Sequence, residues 1–414
     1  MQQQKIVLCI GFVYPEPSSS AAGARILQLL KLFIDADYKI IFGTTASLSA
    51  HSFDLNTLGI EVKSLKLNDS SFDEYVFVLN PSVVLFDRFM TEEQFGWRVA
   101  KCCPDALRVL DTEDLHFLRK ARGENLDSTV RFSKTFLKSD VAKREIASIY
   151  RSDLSLIISE VEFKILTQEL GIDASLLFYI PFVLHPTEIQ NPKDFSGYET
   201  RKNFVFVGNF MHAPNVQAVQ YLKHKIWPIL SQKLPEAQLH IYGAYAKPQH
   251  LTLEDQKNNF YVYGRAEDLD SLLSSYRLLL APLQFGAGLK GKVLDAMRNG
   301  TPCGLSTVAA EGLFGTLPSN GFIEDDLQNF VFKSLQLYNE KDIWETAQND
   351  GFNVLLKRFS RSEFESLFLA KIDQLFKQLD NHRLKNITGL LLQHHSLQST
   401  KYLSKWIEAK NKRS

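Results

Sequence analysis

Two doubly wound α/β domains of near-equal size, Rossmann-like and facing each other across a cleft, with a helical extension at the C-terminus, are what this sequence predicts. Three observations carry that prediction. Short apolar segments recur between helix-length stretches, and one of them, Leu278–Ala281, is unbroken, as expected of a parallel strand covered on both faces. The pattern breaks once, where Pro186, Pro192 and Gly197 fall among polar residues without periodicity, and then resumes. Finally, Ala281–Gly300 reads as strand end, glycine loop and helix in immediate succession. The expected division is a first domain at 1–183, a linker at 184–202, a second domain at 203–360 and helices at 361–414, part of which returns to the first domain.

In the first domain, Lys5–Ile10 reads as a buried strand and Gly11–Gly23, with two prolines and three serines, as the loop after it. Ile26, Leu29, Leu30 and Phe33 then mark one face of a helix. Ala22-Gly23 at its start leaves room for a ligand, and Arg25 is placed to reach an anion. Further strands are expected at Tyr38–Phe42, Tyr75–Leu79, Val83–Phe86, Leu107–Leu110, Leu154–Ile158 and Leu177–Ile180. Ligands of parallel sheets sit at the carboxyl ends of strands. That rule points to Asp87, Asp111, Asp114, His116 and Arg119 as a polar cleft lining that accepts hydroxyl hydrogen bonds or polarises a leaving oxygen. The mixed charges of Ser133–Tyr150 read as a solvated helix face.

The second domain opens with Phe204-Val-Phe-Val-Gly-Asn, which puts Gly208 and Asn209 at the carboxyl end of its first strand. Strands at Leu239–Gly243, Phe260–Gly264, around Leu278, at Thr301–Ser306 and at Gly321–Ile323 follow. Asp268-Leu-Asp270 resembles a metal-holding acidic pair, but Leu269, Leu272, Leu273 and Tyr276 place it on a helix. Residues two apart there diverge by roughly 200°, so capping is the expected role and no metal site is predicted. The adjacent His394-His395 pair diverges too. The last stretch, from His382 onward, carries seven basic residues against Glu408 alone, and is expected to be a solvated helical tail packed through Leu390, Leu391, Leu403 and Trp406.

In the glycine stretch, Gly286, Gly288 and Gly291 let the backbone turn tightly and approach a ligand, and Val293, Leu294 and Met297 begin a helix. A helix N-terminus flanked by Lys290 and Lys292 favours a diphosphate. Composition narrows the classes. The 414 residues are 45% hydrophobic with a formal net charge of zero, so no global field argues for nucleic acid. Four unpaired-looking cysteines suggest a reducing compartment. No signal-peptide progression and no run near the roughly 18 apolar residues of a membrane span occurs, so a cytoplasmic protein with at most peripheral membrane contact is expected.

Phe-Val-Gly-Asn-Phe at 206–210, the Gly-Ala-Gly-Leu-Lys-Gly-Lys loop at 286–292, Asn-Gly-Thr-Pro at 299–302 and Ala-Ala-Glu-Gly-Leu at 309–313 together resemble the retaining nucleotide-sugar-dependent glycosyltransferases of GT-B fold, the family 4 or group 1 type. The resemblance covers about Asn203–Leu313 and is looser in the first domain. It implies a nucleotide-diphosphate-sugar donor on the second domain, an acceptor of unidentified kind on the first, and no cofactor or metal. By the same resemblance, the amides of Gly288, Leu289 and Lys290 hold the diphosphate, and the Lys290 ammonium neutralises the departing phosphate. Gly208 and Asn209 form the floor, the base rests near Gly264 and Arg265, and His116 contacts the donor sugar near the reacting carbon. The family's two glutamates, spaced by seven residues, fall on Ala287 and Asp295. Asp295 is left to accept ribose hydroxyls, and Glu311 beside Gly312 to substitute for the carboxylate absent at Ala287. Two other readings stay open: a nucleotide-sugar epimerase of the same fold, and a catalytically idle nucleotide-sugar-binding scaffold.

Overall fold

The computed structural model describes residues 4–126, 132–189 and 196–412, the side chains of 395–398 excepted. Pro192 of the expected linker and Arg413 of the basic tail lie outside them. Two wholly parallel sheets form the architecture. The first runs β3-β2-β1-β4-β5-β6-β7, built from β1 (Ile6–Gly11), β2 (Lys39–Thr44), β3 (Glu61–Ser64), β4 (Val83–Asp87), β5 (Leu107–Asp111), β6 (Leu154–Ile157) and β7 (Leu177–Tyr179). The second runs β10-β9-β8-β11-β12-β13, from β8 (Lys202–Val207), β9 (Leu239–Tyr242), β10 (Phe260–Val262), β11 (Tyr276–Ala281), β12 (Cys303–Leu305) and β13 (Gly321–Ile323). In both, the strand order reverses beside the first strand, and that switch point opens a crevice at the carboxyl ends. The two crevices face each other, which is the GT-B arrangement.

Two elements depart from the sequence expectation. Tyr75–Leu79 belongs to a helix, Ser71–Leu79, and is not a strand. Asp73 and Glu74 sit in its first turn, where the helix dipole favours acids, and Asn80 ends it in the left-handed conformation at φ 44°. Phe72 and Val76, one turn apart, are buried, whereas Phe77 and Val78 are exposed, so the apolar run covers two sides of a helix. The strand that takes the vacant place is β3, Glu-Val-Lys-Ser, paired in parallel with β2. Short, charged edge strands of this kind resist pairing with other chains.

The chain crosses between domains twice at one place. The Leu184 amide donates to the Phe359 carbonyl at 2.7 Å, and the Arg361 amide to the Leu184 carbonyl at 2.8 Å. The helix Arg361–Lys385 then packs Phe368, Ile372 and Leu375 into the first domain's core, with the Phe368 ring 5.3 Å from that of Phe33. A last helix, Ile387–Asn411, lies across the first domain's helices Arg88–Cys102 and Asp140–Arg151. Asn386 Nδ2 donates to the Tyr150 carbonyl at 2.7 Å and Arg98 Nη2 to Ser404 Oγ at 2.9 Å. No helix among the described residues is long and apolar enough to cross a membrane.

Candidate functional site

The cleft encloses about 1170 Å³, walled by the ends of β1, β4 and β5 on one side and of β8, β9 and β11 on the other. Its two lips are clasped. At one, Tyr245 donates to the Glu16 carboxylate at 2.7 and 2.8 Å, Arg265 Nη2 to Ser18 Oγ at 2.7 Å, and Asn209 Nδ2 to the Ser19 carbonyl at 3.3 Å. At the other, Arg122 makes a buried bidentate pair with Glu311, at 2.8 and 3.1 Å, and also donates to the Gly286 carbonyl at 2.8 Å. The structure is therefore that of a closed cleft.

On the second domain, the glycine loop feeds the helix Gly291–Arg298, whose cap residue is Lys290. A lysine side chain cannot accept the orphan N–H bonds of a first helical turn, so this end lacks a side-chain cap where it meets the cleft. Gly288 holds φ +62°, and a Cβ there would stand 2.8 Å from Asp114 Cβ, so the loop lies against the opposite domain only because the residue is glycine. Lys290 is 7% exposed. Its ammonium donates to the Gly288 carbonyl at 2.9 Å and the Ala287 carbonyl at 3.3 Å, with no carboxylate within 4 Å among the described residues. Burial pulls its pKa down. Lys292 donates to Asn215 Oδ1 at 2.7 Å and stands 4.0 Å over the Phe206 ring; burial and the neighbouring Lys290 push it down to about 7. The site thus gathers two buried lysines, both with pKa values lowered by burial, around an uncapped helix N-terminus. One turn on, Asp295 faces the cavity and burial raises it to about 6, partly opposed by Arg298.

On the first domain, β4 and β5 end in register at Asp87 and Asp111, and the chain leaves each through a left-handed residue nearby, Arg88 at φ +70° and Glu113 at φ +64°. Non-glycine residues hold that conformation at a cost of order 1 kcal/mol, and such strain gathers at functional sites. Asp87 Oδ2 accepts from the Phe12 amide at 3.0 Å. Asp87 Oδ1, 3.7 Å from Arg88 Nε, and Glu113 Oε1 are buried without a hydrogen-bond donor among the described residues. Both residues line the cavity, and burial, reinforced by Asp111, raises Glu113 to about 8. His116 Nδ1 is held by the Asp114 carbonyl at 3.0 Å and lies 3.3 Å from Glu145 Oε1 and 3.4 Å from Asp114 Oδ1. Burial alone would lower its pKa, but the Glu145 and Asp114 contacts outweigh it and the net shift is upward. Asp114 in turn is bound by Arg119.

Gly23, Gly208, Asn209, Arg265, Gly288, Leu289, Lys290, Asp295 and His116 all border this cavity. Others among the residues predicted from sequence lie elsewhere. Gly264 does not line it; its carbonyl accepts from the Gly243 amide. Glu311 and Gly312 do not line it either. Glu311 is committed to Arg122, and Gly312, at φ +79°, lets the chain pass the Ser159 side chain, where a Cβ would come within 2.7 Å. Glu311 therefore cannot replace the carboxylate absent at Ala287, a position buried against the first domain's core. The Gly288 amide, assigned to a diphosphate, donates instead to Glu162 Oε1 at 2.8 Å. Arg25 reaches no anion from outside: it is fully buried in an ion pair with Asp111 at 2.8 Å, which takes both out of the cleft lining. Gly23 is required mainly by packing, since a Cβ would meet the Glu16 backbone.

Two acids that serve this site were not expected. Glu145, read as part of a solvated face, is buried and accepts from the His116 and Phe117 amides at 3.0 and 2.9 Å, capping the helix His116–Glu124. Glu162 bridges the Leu115 and Gly288 amides, and burial together with Asp114 raises it to about 8. Neither has a local sequence signal beyond being an acid on a helix. His212, the uncapped start of the helix Ala213–Tyr221, also opens onto the cleft, and its surroundings and Arg119 push its pKa down. Asp268 caps the helix Leu269–Ser275 by accepting from the Asp270 and Ser271 amides. Among the described residues no group of three or more His, Cys, Asp or Glu is placed to hold a metal; the His395 side chain lies outside them.

Residues 201–340 match the family model described as glycosyl transferases group 1. A curated relative, an uncharacterized 44.6 kDa protein in the cps region of Klebsiella pneumoniae, is 28% identical over 120 residues, which is 27% of this chain and 30% of that protein's length. Among solved structures, sucrose-phosphate synthase from Thermosynechococcus elongatus superimposes with a TM-score of 0.66 at 15% identity, covering 91% of this chain and 100% of the other. Anabaena HepE in complex with UDP-glucose does so with a TM-score of 0.60 at 14% identity, covering 91% and 99%. At such identities the likeness is one of fold. The strand, glycine loop and helix of the second domain thus lie inside the segment that matches the group 1 glycosyl transferase model, and the chain that carries them has the GT-B fold.

Proposed function

We propose that the chain transfers a sugar from a nucleotide-diphosphate-sugar to an acceptor hydroxyl, with retention of configuration and without a metal. The observation that carries this is the uncapped N-terminus of Gly291–Arg298, facing the interdomain cleft with Lys290 as its cap and Lys292 beside it. Amides, dipole and ammonium groups suffice there for a diphosphate, so no divalent ion is needed to balance its charge. The amides of Leu289 and Lys290, rather than that of Gly288, take the phosphate oxygens, and Asp295 takes the ribose hydroxyls. Lys290 stabilises charge on the departing phosphate, where a preorganised cation acts in a water-poor site.

The acceptor enters from the first domain. Asp87 and Glu113 each offer a buried carboxyl oxygen without a hydrogen-bond partner among the described residues, and a hydroxyl, which both donates and accepts, can engage either. A hydroxyl positioned there attacks on the face from which the phosphate leaves, and the phosphate oxygen takes the proton, so the protein contributes orientation rather than a nucleophile. His116, with Nδ1 fixed by Asp114 and Glu145, presents its other ring nitrogen to the sugar.

Incubation with UDP-glucose, the ligand of the Anabaena neighbour, is the first test, read as free UDP and free or transferred glucose. Slow release of UDP that accelerates with a polyhydroxylated acceptor, giving an α-linked product, is the expected result. A changed sugar still attached to nucleotide would establish an epimerase, and binding without turnover across nucleotide-sugars an idle scaffold.

A further inference from the structure

The expected packing of the last helix through Leu390, Leu391, Leu403 and Trp406 does not occur: these are 41%, 57%, 58% and 61% exposed, and Ile387 and Tyr402 are 65% and 61% exposed. At about 100° per residue, Ile387, Leu391, Tyr402 and Trp406 fall within a sector of roughly 100°. Lys405 lies inside that sector, and Lys401 and Lys410 lie on its two flanks. Lys401 Nζ is 5.7 Å from the Tyr402 ring centre and Lys410 Nζ is 5.4 Å from that of Trp406. The opposite side, with Gly389, Gln393 and Ser404, holds the helix to the first domain. The sector therefore faces solvent, anchored from behind.

We propose that this helix, Ile387–Asn411, docks the first domain onto an anionic lipid surface, lying in the plane of the headgroups. Aromatic and aliphatic side chains with Lys405 among them and a lysine on each flank suit an interface that is apolar below and negatively charged above. Charge argues for this occupant over a second copy of the chain. The sole acid in the described part of the tail, Glu408, is engaged by Lys412 at 2.8 Å, so pairing two copies would bring lysines against lysines. The inference does not depend on the reaction proposed above, since no residue of the sector borders the cleft.

Tryptophan fluorescence reports it selectively, because Trp97, Trp227 and Trp344 are 3%, 2% and 0% exposed and only Trp406 meets solvent. Adding phosphatidylglycerol-containing vesicles to the full chain is expected to shift emission to the blue and to sediment the protein, with both effects reversed by high salt. Phosphatidylcholine vesicles should do neither. Replacing Lys401, Lys405 and Lys410 together by Gln should weaken vesicle binding by about 10²-fold, at about fivefold per lysine. All three are surface residues, so folding is preserved and is checked by an unchanged circular dichroism spectrum. Three outcomes overturn the proposal: no sedimentation with anionic vesicles, a blue shift that survives in W406F, or a lipid-free dimer by light scattering that Trp406→Glu dissociates.

Discussion

Lys290→Ala probes the chemistry at its most concentrated point. Among the described residues this ammonium, on a side chain 7% exposed, is paired with no carboxylate and donates only to two carbonyls of its own loop. Its charge is therefore available to a ligand without breaking an ion pair first. Losing one preorganised, charge-stabilising donor costs about 3–4 kcal/mol in the transition state, or 10²–10³ in turnover. Stability should respond differently. Burial lowers the Lys290 pKa, so its charged form is disfavoured in the folded state, and a neutral residue removes that penalty. Lys290→Met, which keeps the apolar stem, should leave the melting temperature unchanged or raised. UDP release from UDP-glucose, measured with calorimetric melting on the same samples, separates the two effects. Turnover within tenfold of the parent in both variants, or a collapse of stability that alone explains the loss, would refute the assignment.

Donor affinity should depend on pH through two groups. With Lys292 at about 7 in the free protein, a bound diphosphate must hold it protonated, so affinity falls as pH rises above 7, by up to tenfold per unit, and Lys292→Met flattens that limb in titration calorimetry. Asp295 has a folded pKa of about 6 against an ordinary 3.8, so its contribution to stability is fully present below about pH 4 and lost as pH rises through 6. Asp295→Asn should accordingly melt no lower than the parent at pH 8 while binding donor more weakly. Glu311→Gln breaks a buried pair that spans the two domains. Were the cleft to stay shut, about 3–5 kcal/mol would be lost, but opening hydrates Arg122, so scattering should show an expanded molecule and donor Kd should rise at least tenfold with only a small change in melting. Asp87→Asn and Glu113→Ala should raise acceptor KM and leave acceptor-independent UDP release unchanged.

Both sheets were legible because most strands are short runs dominated by apolar residues, broken at most by single polar ones such as Arg108, Ser155 and His240, and such runs need no knowledge of neighbours. β3 was not, having one apolar residue in four, and Tyr75–Leu79 was misread because five apolar residues in succession fit a strand and a helix equally well. At the site, the glycine loop announced itself through composition. What composition does not reveal is which partner a polar residue will meet. Arg25 and Asp111 are 86 positions apart and annul each other; Glu311 is taken by Arg122 from the other domain; Glu162 claims the Gly288 amide. All three follow from how closely the domains approach, which the local pattern leaves open. The last helix shows the converse: its apolar residues imply burial, yet the face they form meets no other part of the described chain.

A crystal of the chain grown with UDP-glucose tests the central claim most directly. The account predicts the diphosphate at the start of Gly291–Arg298, within hydrogen-bond reach of the Leu289 and Lys290 amides and beside the Lys290 and Lys292 ammonium groups. A diphosphate bound elsewhere, or a cleft that stays empty at saturating ligand, would contradict it.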